Sequence, residues 1–163
     1  MKTMSKKIII LLILILSIIL FFQTNKVYAN SYENIDLNAL NEIKDNQELL
    51  DTVINVSISY ESDLSLVNIL SKCNNLRELR IEKATIENLR FINDIQPSNG
   101  FVLILNMGYY NMEGISNPYI KQMLIWSSFI TNFSKGMDVQ NVERIDISSV
   151  SGYEDIDYKR YAP

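Results

Sequence analysis

The feature that most constrains this chain is a pair of apolar residues separated by one position, which recurs along most of its length. It appears as Val56/Ile58, Leu79/Ile81, Leu103/Leu105, Met123/Ile125 and Ile145/Ile147. The second members follow one another at steps of 23, 24, 20 and 22 residues. Alternation over three residues makes a short strand that aims two side chains to one side. A strand that short cannot bury its own apolar edge. A regular recurrence of this kind therefore calls for units that stack and share one core, with loops absorbing the differences in length.

Two copies carry a fuller pattern. One is Leu76, Leu79, Ile81, Ala84, Ile86, Leu89 and Ile92; the other is Ile120, Met123, Ile125, Ser128, Ile130 and Phe133. The stretch Val142, Ile145, Ile147 and Val150 begins the same way, while the copies at Val53/Val56/Ile58 and Leu103/Leu105 are looser. After each strand the apolar residues come at three-residue steps, which predicts a helical or 3₁₀ return segment. The pattern from about Val53 to Val150 resembles the leucine-rich repeat family, in the short bacterial form of internalin-like surface proteins. That resemblance implies an α/β solenoid of about five short coils. The family's asparagine after the strand is missing: Ala84, Gly108, Ser128 and Val150 stand there, and Glu61 in the first copy. Its loss implies a less regular stack. In the third copy "FVLILNMGYY" is apolar in both phases, so a one-residue slip would exchange the two faces.

The ends of a stack need covers. Residues 30–52 are expected to form a helical N-terminal cap. Asp36 is placed to cap a helix bearing Leu37, Leu40 and Ile43, and Asp45-Asn46-Gln47-Glu48 reads as a second helix start. Asp63 is placed to cap a helix with Leu64, Val67 and Leu70 on one stripe. Pro97–Gly100 and Gly114–Pro118 are turn chemistry. Residues 151–163 read as a C-terminal tail or cap, with Tyr153, Ile156, Tyr158 and Tyr161 available to cover the last unit.

The N-terminus is separate. Lys2, Lys6 and Lys7 precede an apolar run from Ile8 to Phe22, broken only by Ser17, and Val27-Tyr28-Ala29 follows. This is the pattern of a secretory signal peptide over residues 1–29. The alternative is an uncleaved anchor, although the run is shorter than the ~20 residues of a usual spanning helix. Beyond Ala29 the chain holds 11 basic and 19 acidic residues, a formal charge of −8. That argues against a nucleic-acid or anionic-lipid surface.

Catalytic candidates are scarce. The chain has no histidine, which removes Ser–His and Cys–His pairs and the commonest zinc ligand. Cys73 is the sole cysteine and reads as a small buried hydrophobe. Glu154-Asp155-Ile156-Asp157 lacks the glycine-bearing spacing of a calcium loop and reads as a solvated acidic tail. No cofactor or metal is expected.

The residues flanking each inward pair should project from the sheet. Their columns are Asn55, Glu78, Val102, Gln122 and Arg144; then Ser57, Arg80, Ile104, Leu124 and Asp146; then Ser59, Glu82, Asn106, Trp126 and Ser148. Most are polar. The third and fourth units differ: Val102, Ile104, Leu124 and Trp126 make an apolar patch rimmed by Arg80, Glu82, Arg144 and Asp146. An exposed apolar cluster with a polar rim and a tryptophan anchor is the signature of a protein-binding site. The competing reading is ordinary core, with the patch covered by the tail from Tyr153. The expectation is therefore an exported, non-catalytic protein-binding module, secreted or on the outer face of the cytoplasmic membrane. The alternative is a membrane-tethered structural or immunity-type protein that keeps its anchor.

Overall fold

The computed structural model describes residues 15–17, 32–133 and 141–152. The chain is mixed α/β, with many parallel strands and few, short helical turns. In chain order the strands are β1 (Asn34–Asp36), β2 (Asn55–Ile58), β3 (Glu78–Glu82), β4 (Thr85–Ile86), β5 (Phe101–Asn106), β6 (Tyr109–Asn111), β7 (Ile120–Trp126), β8 (Phe129–Thr131) and β9 (Arg144–Ser148). One sheet has six strands in the order β1-β2-β3-β5-β7-β9, and a second has three, β4-β6-β8. Every strand pairing in both sheets is parallel.

The register of the large sheet sets the inward pairs side by side. Val56, Leu79, Leu103, Met123 and Ile145 form one row, and Ile58, Ile81, Leu105, Ile125 and Ile147 the next. This is the alignment the sequence predicts, including the third copy, where both phases are apolar. From β2 to β7 these side chains are fully buried, whereas Ile145 and Ile147 are only partly so because β9 is the edge strand.

The two sheets are joined by a repeated corner. Lys83, Met107, Ser127 and Ser149, each one residue past its strand, have φ of 50°, 49°, 49° and 53°. Their N–H groups extend the ladder: Lys83 donates to the Asn106 carbonyl, Met107 to Trp126 and Ser127 to Ser148. None is β-branched, the class that tolerates positive φ least. Strands β4, β6 and β8 begin two residues later, and Ser151 continues the series through a bridge to Phe129.

The residue after each corner occupies the place of the missing asparagine. Ala84 and Ser128 are buried there. The Ser128 hydroxyl lies 2.8 Å from the Trp126 carbonyl and 3.4 Å from that of Leu105, so it links two neighbouring strands. At Gly108 the space is taken by Tyr110, which is fully buried and sets its hydroxyl 2.9 Å from the Ile81 carbonyl and 3.0 Å from that of Asn106. A Cβ on Gly108 would collide with that hydroxyl and with the Ala84 carbonyl.

The return segments include 3₁₀ helices at Leu64–Lys72 and Arg90–Asp94. Asp63 starts the first by accepting a bond from the Ser65 N–H at 3.0 Å. Of its expected stripe only Leu70 is fully buried, and Leu64 is exposed. Buried Asn117 donates to the Ile92 and Ile95 carbonyls and accepts from the Tyr119 N–H, which ties two loops together. Gly100 closes the Pro97 turn with φ +72°.

Three expectations need correction. The N-terminal segment is less helical than expected: β1 pairs in parallel with β2 and adds a sixth strand. Helical turns occupy only Leu40–Ile43 and Gln47–Leu50. Asp36 ends β1 and closes a turn, accepting from the Asn38 and Ala39 N–H groups. The first helical turn has Ala39 at its N-cap with no side-chain bond, while Asn46 does cap the second. Ile86, expected on a helical return, lies in β4. The signal-peptide exit at Ala29 and the tail from Tyr153 lie outside the described residues. Among those described, no helix is long and apolar enough to cross a membrane.

Candidate functional site: the outward face of the large sheet

Strand register builds this face. One row is Asn34, Asn55, Glu78, Val102, Gln122 and Arg144; the next is Asp36, Ser57, Arg80, Ile104, Leu124 and Asp146. A third runs Glu82, Asn106, Trp126 and Ser148. Val102, Ile104, Leu124 and Trp126 thus come together on β5 and β7, flanked by Arg80 on β3 and Arg144 on β9.

Their exposure is uneven. Val102, Leu124 and Trp126 are half-buried, and each leaves part of its side chain at the surface. Ile104 corrects the expectation: it is only 2% exposed, so it is not a surface contact. It stands apart from the main core cluster that holds its neighbours Leu103 and Leu105, as alternation requires. Its lateral neighbours are Arg80 and Leu124, two large side chains on the same face. A mid-sheet residue between such neighbours loses its solvent access even on an outward face.

The β1–β3 half of the face is polar and concave. Asn34, Asp36, Asn55, Ser57, Glu78 and Arg80, with Ile35 and Val56, line a shallow groove of about 310 Å³. Asn55 donates to Asn34 at 2.6 Å across the first strand pair. Arg80 is held between two carboxylates, 2.9 Å from Glu78 and 3.2 Å from Glu82. The bond to Glu78 is the main reason its guanidinium is held above its ordinary pKa. At the far edge Arg144 pairs with Asp146 at 2.6 Å.

A second apolar feature escaped the sequence reading. Met107, Tyr109 and Phe129 are exposed, and the two rings stack with centroids 5.3 Å apart and planes 10° from parallel. They are register partners on β6 and β8. The available signal was spacing: Thr85, Tyr109 and Phe129 each lie three residues beyond an outward residue of the large sheet.

The described residues include no group of three or more possible metal ligands. The Cys73 thiol is pushed up to about 12, chiefly by burial and further by the charge of Asp51, so it is a thiol and not a thiolate at neutral pH. Comparisons with protein families, curated proteins and solved structures gave no match to the chain.

Proposed function

We propose that this chain is an exported, non-catalytic protein-binding module, built as a leucine-rich-repeat-like solenoid of short coils. It works outside the cytoplasmic membrane, takes no cofactor and does not bind nucleic acid; contact with a membrane would require that the N-terminal segment be retained. The solenoid reading draws on the strand-to-strand register and on the corner that recurs after β3, β5, β7 and β9. The observation that carries the function is that Val102, Leu124 and Trp126, all half-buried, stand on the outward side of the adjacent strands β5 and β7 around Ile104, whose register neighbour on β3 is the ion-paired Arg80. Apolar side chains left partly wet, with a charged rim, suit a partner that completes their burial.

The experiment is a comparative capture. Intact wild-type chain and Trp126→Ala are immobilised and exposed to extracellular proteins, and the retained proteins are quantified. Truncating a central tryptophan typically costs 2 kcal/mol or more, about thirtyfold in affinity. The expected outcome is a partner held by wild type and lost by Trp126→Ala, with the variant's far-UV circular dichroism and melting temperature unchanged. Equal retention by both would remove this face as the site.

A further inference from the structure

The two halves of the outward face differ in charge as well as polarity. The β1–β3 half carries three carboxylates, Asp36, Glu78 and Glu82, against the single guanidinium of Arg80. The β5–β7 half carries none on its outward rows, and on β9 Arg144 and Asp146 cancel. Asp36 uses Oδ1 to close its turn and Glu78 uses Oε1 to hold Arg80. The second oxygen of each makes no hydrogen bond or ion pair among the described residues, and both residues line the same groove.

We propose that the ligand of this face is an extended peptide segment that places a lysine or arginine in the Asp36–Glu78 groove and a large apolar side chain on Leu124 and Trp126 of β7. This rests on the protein-binding reading above and specifies the partner's chemistry. Charge complementarity selects the cation, because the groove offers acceptors and a surplus of negative charge. Geometry sets the spacing. Adjacent strands lie about 4.8 Å apart, so the three steps from β2, the middle of the groove, to β7 cover about 14 Å. An extended peptide advances about 3.3 Å per residue, which puts the two anchors four residues apart.

The test uses fluorescent peptides, acetylated and amidated, with one arginine and one leucine separated by one to eight Gly/Ser residues. Binding to the purified intact chain is read by polarisation at low and high salt. Binding should be tightest with three intervening residues and should weaken with salt. Replacing arginine by citrulline should weaken it about tenfold or more, as should the double variant Asp36→Asn, Glu78→Gln; the side-chain amide in Asp36→Asn keeps an oxygen with which to close the turn. If Trp126→Ala weakens binding but citrulline and the acid variants do not, the apolar docking face stands and the cation groove falls. If Trp126→Ala changes nothing, the docking face falls as well. Binding that appears only after residues 153–163 are deleted means the tail occupies the face in cis, which overturns a separate partner. Absence of binding by every peptide at millimolar concentration, with or without the tail, also overturns the proposal.

Discussion

Strands β1–β3 and strands β5–β7 share an inner side and differ on the outer one. Inside, Val56, Leu79, Leu103 and Met123 form one unbroken buried row, and Ile58, Ile81, Leu105 and Ile125 another. Outside, the first half is a groove of amides, carboxylates and one arginine, and the second is an apolar surface over a buried isoleucine. The inner rows are constrained by the need to fill a common core, and every unit meets that demand in the same way. The outer rows carry no such demand, so a change of character there, confined to two neighbouring strands, needs another reason. Contact with a partner is the reason proposed above.

The largest effects should test whether the inner rows are as alike as they look. Leu79→Ala and Leu103→Ala should each cost about 2–5 kcal/mol in denaturant unfolding, the range for truncating a buried leucine. The two values should agree within about 1 kcal/mol. A much smaller cost at Leu103 would mean that the apolar half is loosely packed throughout, and the contrast would no longer be confined to the outer side.

Ile104 sharpens the contrast from outside. It is as buried as a core residue although it stands on the outward row. Ile104→Ala should therefore cost about 2 kcal/mol, the low end for such truncations because nearby side chains can relax toward solvent. Ser57→Ala, in the same row but in the polar half and exposed, should stay within about 0.5 kcal/mol. Equal costs would erase the distinction between the halves as far as stability is concerned.

The corners differ between units in a related way. Gly108→Ala should cost about 1–3 kcal/mol, because the added methyl meets the Tyr110 hydroxyl and the Ala84 carbonyl. The methyl also meets the Tyr110 ring carbon Cζ, so that cost should shrink in a Tyr110→Leu background, which lacks both the hydroxyl and the ring; an unchanged cost there would move the clash to the backbone alone. Tyr110 also sets an alkaline limit. Burial, its largest influence, pushes its phenol from an ordinary 10 up to about 12. The folded pKa is raised, so the stability linked to it is complete below about pH 10 and is lost as pH rises toward 12. Cys73, raised from 9 to about 12, acts in the same direction. In a Cys73→Val background, Tyr110→Phe should flatten the fall in stability between pH 10 and 12, and a steep fall that persists would show that other groups control it.

Much of the large sheet was legible because an inward pair such as Leu79/Ile81, with Arg80 between, leaves only one way for the strand to face. The strand β1 was not legible, since Asn34-Ile35-Asp36 is too short to display an alternation. The second sheet was hidden for a different reason. Ile86, Leu89 and Ile92 share one spacing, yet Ile86 lies in a strand and Ile92 in a 3₁₀ helix, so the interval reflects a common inward direction and not one kind of element. The corners were invisible because Lys83, Met107, Ser127 and Ser149 are not glycine or asparagine, the residues that announce positive φ. At the candidate site the columns could be read from spacing, but the depth of Ile104 could not. Depth depends on what stands to either side, and that is fixed only once the strands are paired.

The smallest expected effect concerns Arg80 and asks what holds the polar half together. Its guanidinium bridges Glu78 and Glu82 on one strand, but its side chain remains 39% exposed, against 30% and 31% for the two partners. Exposed pairs of this kind contribute about 0–1 kcal/mol, because solvent screens the attraction and both side chains lose freedom. Arg80→Ala should therefore cost less than about 1 kcal/mol at low salt. Most of that cost would come from leaving Glu78 and Glu82 next to each other without the cation between them. At 1 M salt the screening length falls to about 3 Å, comparable with the 2.9 and 3.2 Å contacts themselves, so the cost should shrink. Ile104→Ala, whose penalty comes from lost packing, should keep its cost under the same conditions. Measuring both variants by urea unfolding at low ionic strength and at 1 M sodium chloride separates the two halves by mechanism. A salt-insensitive cost above 2 kcal/mol for Arg80→Ala would mean that the aliphatic stem of Arg80 packs over Ile104 as part of the apolar half, and the boundary between the two surfaces would have to move from between β3 and β5 to between β2 and β3.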